Sequence, residues 1–128
     1  MSGEIPPGRT GRPDTIEIGW FTFEGPFEDQ GQLQCRPGLF AVFSREGERE
    51  YVMLDVDEAE DVLEGASTHE RAACWRENCP GRLAFAAFYA PAADAGARRS
   101  IVREIRMQYV VPCGPKVTST EGYFDPEE

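Results

Sequence analysis

Residues 62–75 read VLEGASTHERAACW and hold the single histidine of the chain, His69. Imidazole changes charge closest to neutral pH, so it can accept a proton, donate one or ligate a metal. Cys74 and Cys79 follow at a C-x4-C spacing, and one imidazole with two thiolates is a partial zinc ligand set. The four cysteines, Cys35, Cys74, Cys79 and Cys113, are scattered through 128 residues. That is not the pattern of a small disulfide-stapled scaffold. Ordinary free thiols are expected, with zinc on His69, Cys74 and Cys79 as the sharper alternative.

Charge is distributed in blocks. From Glu46 to Glu64 there are nine acidic residues and one base, Arg49. Within that block Asp55, Asp57, Glu58 and Asp61 could gather around a divalent cation. The simpler reading is a solvated helix start, where acids are favoured. From Arg98 to Arg106 the balance reverses, with four arginines (Arg98, Arg99, Arg103, Arg106) and one acid, Glu104. Guanidinium groups suit phosphate or the carboxylates of a protein partner; the bland alternative is a solvated helix face. Glu104 reads either as a metal ligand or as a surface ion pair contributing little. The net charge of −10 repels phosphate backbones at long range. A protein partner is therefore expected ahead of nucleic acid.

Three apolar runs and two helical patterns must position these groups. LFAVF (39–43) and YVMLDV (51–56) flank a polar bridge containing Gly47 and predict a hairpin; RLAFAAFYA (82–90) predicts a third strand. The runs are nearly continuous, as in strands covered on both faces. Ile16, Ile18 and Trp20 alternate with Glu17 and Gly19, which predicts an extra N-terminal strand. That strand should bury Trp20, Phe21 and Phe23 at a sheet edge, or leave them as an exposed patch; its edge near 16–24 could also pair two chains. Residues 25–38 read as a loop. Ala59, Val62, Ala66, His69 and Ala73 recur at helical spacing, predicting a helix over 58–77, with Gly65 inside it at a cost of roughly 1 kcal/mol relative to alanine. A second helix is predicted over 94–109, with Val102, Ile105 and Tyr109 as its apolar stripe and Pro112 beyond it.

The expected fold is α+β: a small, mostly antiparallel sheet flanked by two helices, with the N-terminal strand added. One domain spans 15–114, between a flexible segment (1–14) and a loose tail (115–128). No apolar run approaches the roughly 20 residues of a membrane span, and the N-terminus has no apolar core of a signal peptide. A soluble, cytoplasmic protein without membrane partners is expected.

PGLFAVF (37–43), YVMLDVDEAEDV (51–62), His69, the strand at 83–90 and EIRMQYVVPCG (104–114) follow one another in an order that resembles the GIY-YIG nuclease superfamily, above all its small stand-alone bacterial members. The resemblance covers residues 37–114. It implies a site of two hairpin tyrosines, an arginine and a histidine or tyrosine on the first helix, and a glutamate on the second helix that holds Mg²⁺ or Mn²⁺. Such a site cleaves phosphodiesters by activating water and stabilising charge on the phosphate.

Carried over position by position, the first tyrosine falls on Phe40, which has no hydroxyl for acid–base work. The second falls on Asp55, and its partner glycine on Asp57. The arginine falls on Gly65. His69 and Glu104 keep family-like chemistry, although a shift of two residues would move the glutamate position to Val102. The resemblance thus implies an eroded nuclease site and a binding or interaction role, with His69 either a remnant of the site or a hydrogen-bonded seam residue. The alternative is an active divalent-metal-dependent phosphodiesterase, repaired by Arg71 or Arg36 meeting Glu104 and His69 in one pocket.

Overall fold

A computed structural model describes residues 14–114. The expectations for 1–14 and 115–128 lie, Asp14 apart, outside the described residues. The hairpin forms as anticipated from β3 (Gly38–Arg45) and β4 (Tyr51–Ala59), and β5 (Arg82–Tyr89) pairs with the other edge of β3. Every β3 residue from Gly38 to Ser44 is consequently buried, which is why its apolar run does not alternate.

The N-terminal strand is in fact two strands, β1 (Thr15–Ile18) and β2 (Phe21–Phe27), joined by a two-residue turn. Gly19 takes a φ of +62° at that turn, a conformation open to glycine. β2 pairs with β5, so the expected loop at 25–38 begins as strand and includes a single 3-10 turn at Gln30–Gln32. The order is β1-β2-β5-β3-β4, five strands with every neighbour antiparallel. Phe23 is buried, but Trp20 sits at the tip of the turn and is 83% exposed. Edge burial of Trp20 is therefore corrected: the alternation that would place it in a strand ends at Ile18.

The helix expected over 58–77 is also corrected. The β3–β4 ladder continues through Ala59, opposite Gly38. Two short helices follow, α1 (Val62–Ser67) and α2 (Ala72–Glu77), and His69 lies in the turn between them. Asp61 caps α1 by accepting from the Glu64 amide. The last helix, α3 (Ala95–Gln108), matches its expected span and is capped by Asp94 at the Ala97 amide. Helices cover both faces of the sheet. Val102 and Ile105 of α3 pack with Leu39, Ala41 and Phe43. On the opposite face Val62, Ala66 and Trp75 pack with Phe40 and Val42. The alternation of β3 side chains between the two cores is the period of two that a strand imposes.

Gly65 has a packing reason. A Cβ built there would stand 2.6 Å from the Ala59 Cβ and 3.6 Å from Phe40 Cε2. α1 lies so close to β4 that only hydrogen fits. Gly65→Ala is expected to lower stability by about 1–3 kcal/mol through overpacking, against a helix-propensity gain of roughly 1 kcal/mol. Urea unfolding of Gly65→Ala and of Ala59→Gly/Gly65→Ala tests this. The second change removes the opposing methyl and should restore most of the loss; equal stability of Gly65→Ala and wild type would rule the explanation out.

After α3 the chain turns over the exposed edge of β4. The Cys113 amide donates to the Leu54 carbonyl at 2.9 Å. Cys113 forms a disulfide with Cys74 of α2, 39 residues away in sequence. The expectation of four free thiols is corrected to two, Cys35 and Cys79. Only the crossing of the β4 edge brings residues 74 and 113 together, so their spacing alone gave no sign of the bond.

Candidate functional site

The register of the β3–β4 hairpin builds the polar centre. Val42 lies opposite Asp55 and Phe43 opposite Met53, so Leu54 is the extra residue of a β-bulge. Asp57 lies opposite Phe40, two residues from the Val42 pairing. Asp55 and Asp57 are therefore neighbours on the face covered by α1 and α2. Asp55 is 0% exposed.

A buried carboxylate needs donors for both oxygens. Asp55 Oδ2 accepts from Arg71 Nε at 2.8 Å and from the Trp75 indole at 2.7 Å. Its Oδ1 accepts from Arg71 Nη2 at 3.1 Å and from the Val56 amide at 2.8 Å. Arg71 thus grips Asp55 with two parallel bonds, the strongest geometry available to a guanidinium. Its Nη2 also donates to Asp57 Oδ2 at 3.1 Å. Burial would lower the Arg71 pKa, but the bonds and charges of Asp55 and Asp57 outweigh it and the net direction is upward.

His69 closes the network. Its Nδ1 accepts the Arg71 amide at 3.0 Å, and its Nε2 stands 2.7 Å from Asp57 Oδ2. The Nδ1 contact requires a lone pair there, so the neutral ring carries its proton on Nε2 and donates it to Asp57. This arrangement also explains the helix break, because the ring takes an amide that a continuous helix would direct to Ser67. The ring packs between Phe40 and Trp75, with centroids at 5.7 and 5.1 Å. Both nitrogens are engaged and the side chain is 11% exposed, so no free lone pair remains to serve as a base.

Burial raises the Asp57 pKa, yet the His69 hydrogen bond, the Glu58 amide and the Arg71 charge together hold it below its ordinary value. A depressed carboxyl contributes stability that is present above the unfolded-state pKa and lost as pH falls through the folded one. The loss belongs below about pH 4, the ordinary aspartate range. Urea unfolding of wild type and Asp57→Asn across that range should give a shallower acid limb for the variant; parallel limbs would show that Asp57 is not a linked group.

Arg106 reaches the same centre from α3 around the β4 edge. Its Nη2 donates to the Val56 carbonyl at 2.7 Å and lies 3.9 Å from Asp55 Oδ1. Burial pushes its pKa down, and its Nε is a buried donor with no partner among the described residues. Arg98 is buried as well, donating to Glu58 at 2.7 Å, Glu60 at 3.3 Å and the Ala93 carbonyl at 2.8 Å. Two of the four residues of the arginine stripe are therefore structural, and only Arg99 and Arg103 stand on the exposed face of α3. The acidic group of Asp55, Asp57 and Glu58 is likewise neutralised in large part, by Arg71 at Asp55 and Asp57 and by Arg98 at Glu58.

Glu104 does not join the centre. It is exposed, and at about 100° per residue it lies roughly 200° around α3 from Arg106. Arg36 is also elsewhere, stacked 4.7 Å over the Tyr89 ring. Of the repaired-site residues, only Arg71 meets His69. The zinc reading is corrected: Cys74 is bonded to Cys113, and both His69 nitrogens are engaged. Among the described residues, no group of three or more His, Cys, Asp or Glu side chains is placed to hold a metal ion. Mg²⁺ or Mn²⁺ does not fit the residues present, because Glu104 stands apart and N–H donors occupy the oxygens of Asp55 and Asp57.

Sequence reasoning passed over Trp75, whose indole completes the Asp55 shell. The available signal was its i+4 spacing from Arg71, in a stretch with no other large side chain. Among the described residues no helix is long and apolar enough to cross a membrane. No family model, curated protein or solved structure matches the chain.

Proposed function

We propose that the chain is a GIY-YIG-like domain whose nuclease site has eroded into a structural ion-pair network, and that it acts as a protein-binding module. One observation carries this reading. The side chains at the inherited positions satisfy one another: Asp55 accepts four hydrogen bonds, and His69 engages both nitrogens. A hydrolytic site needs an unfilled donor or base facing substrate. Phe40 is buried without a hydroxyl, and Gly65 has no room for any side chain.

The meeting of Arg71 and His69 at Asp57 favours the alternative of a rearranged, metal-dependent phosphodiesterase. The placement of Glu104 weighs against it. A cytoplasmic setting remains part of the proposal, where the cellular thiol poise would govern the Cys74–Cys113 bond.

The test is cleavage of single- and double-stranded DNA and RNA with Mg²⁺ or Mn²⁺, beside Glu104→Ala and His69→Ala. No cleavage above the variants is expected. Metal-dependent cleavage that either substitution abolishes would replace the binding role with the phosphodiesterase.

A further inference from the structure

The outer face of α3 has a second character. Arg99, Arg103 and Met107 follow one another at spacings of four and form one stripe along the helix. Arg99 and Arg103 are exposed, with no hydrogen bond or ion pair among the described residues. Met107 is 61% exposed, and Val110, just past the helix end, is 86% exposed. The β1–β2 turn is fixed beside that end, because the Gly19 amide donates to the Tyr109 hydroxyl at 2.9 Å. The same turn presents Trp20, the most exposed large aromatic among the described residues.

Tryptophan, tyrosine, methionine and arginine are the residue types enriched at protein interfaces, and aromatic and arginine side chains dominate their binding energy. Exposed apolar side chains mark interaction sites where they lie together rather than singly. The charge selects the partner. Among the described residues no carboxylate pairs with either arginine, and a guanidinium on an exposed face suits a partner's carboxylate. The net charge of −10 opposes a polyanion such as nucleic acid, and equally a second copy of the chain. A short protein segment, with few charges to repel, meets both demands.

Resting on the binding-module reading, we infer that the α3–Trp20 face is the docking surface for a peptide segment of a partner protein, one that sets carboxylates against Arg99 and Arg103 and an aromatic or aliphatic anchor against Trp20 and Met107. Trp20 is also a reporter. The chain has two tryptophans, and the other, Trp75, is buried.

The experiment selects a random-peptide display library on the full chain. Enriched peptides are synthesised and titrated by tryptophan fluorescence. Expected are peptides with paired acidic residues next to an aromatic or leucine, a blue shift on binding that Trp20→Phe abolishes, and salt-sensitive affinity. Arg99→Glu/Arg103→Glu and Trp20→Ala should each weaken binding by about tenfold or more. Neither should move the unfolding midpoint, since these side chains are exposed; if the charge reversal does, Arg99→Gln/Arg103→Gln replaces it. No enrichment, or peptides that bind the variants as well as wild type, would overturn the inference. So would Arg99-dependent binding of a short single-stranded DNA, or dimerisation in light scattering lost in Trp20→Ala. The nuclease assay reports separately on the underlying reading: a chain that cuts nucleic acid loses the binding-module role, whereas an empty selection from an inactive chain removes only this surface.

Discussion

Asp55→Ala is expected to lower folding stability by about 3–5 kcal/mol, the usual effect of removing one partner from a buried ion pair. The carboxylate is inaccessible and accepts from Arg71 twice, from the Trp75 indole and from the Val56 amide. Its removal leaves Arg71 Nε and the indole N–H without their acceptor in a low-dielectric site, with Asp57 alone still bonded to the guanidinium. Arg106, 3.9 Å away, loses its nearest counter-charge. Removing both charges should cost less than removing one, so Asp55→Leu/Arg71→Met is expected to recover part of the loss. Urea unfolding of the three proteins decides the matter. A loss below about 1 kcal/mol for Asp55→Ala, the scale of an exposed pair, would mean that the network is solvated.

The second large effect concerns the strap after α3. The Cys74–Cys113 bond closes a loop with a sequence separation of 39. On loop-closure entropy, a ring of that size contributes about 4 kcal/mol. Cys74→Ser/Cys113→Ser, or wild type in excess dithiothreitol, is expected to lose stability on that scale. Thiol titration of the unfolded chain without reductant should find the two free cysteines, and four after reduction. Four titratable thiols before reduction would remove the bond from the description of the fold.

The two effects should not add. A Cβ at Gly114 would lie 3.2 Å from both Asp55 Oδ1 and Arg106 Nε, so the strapped segment lies directly over the ion pair. Opening the disulfide admits water to Asp55 and weakens the penalty for removing it. The combined variant is expected to fall short of the sum by more than about 0.5 kcal/mol, the mark of coupled neighbours.

Much of the fold was legible in the residues themselves. The continuous apolar runs at 39–43 and 82–90 specified β3 and β5 as covered strands, since buried strands need no alternation. The stripe of Val102 and Ile105 specified α3 and its inward side. The N-terminal hairpin was harder to read, because Gly19 and Trp20 continue the alternation of Ile16 and Ile18 up to the point where a positive φ reverses the chain. The helix period through Ala59, Val62, Ala66, His69 and Ala73 was misleading for a different reason: the β3–β4 ladder holds Ala59 in a strand, and the His69 ring captures the Arg71 amide.

For the candidate site, the sequence by itself determined which chemical groups are present: one histidine, acids at 55 and 57, a glycine at 65 and a phenylalanine at 40. It also put no tyrosine at 40 or 55 and no arginine at 65, the positions where the resemblance implies them. The tertiary structure decided which of those groups meet. The β3–β4 register sets Asp55 and Asp57 on the face covered by α1 and α2; the α1–α2 turn brings Arg71 and His69 onto them, and the exposed flank of α3 takes Glu104 away. It withdrew Arg98 and Arg106 from the surface and left Arg99 and Arg103 on the exposed side of α3. Residue type fixes what a side chain can donate or accept. Its partner is fixed by strand register and by helix rotation, and both depend on contacts between residues far apart in the chain.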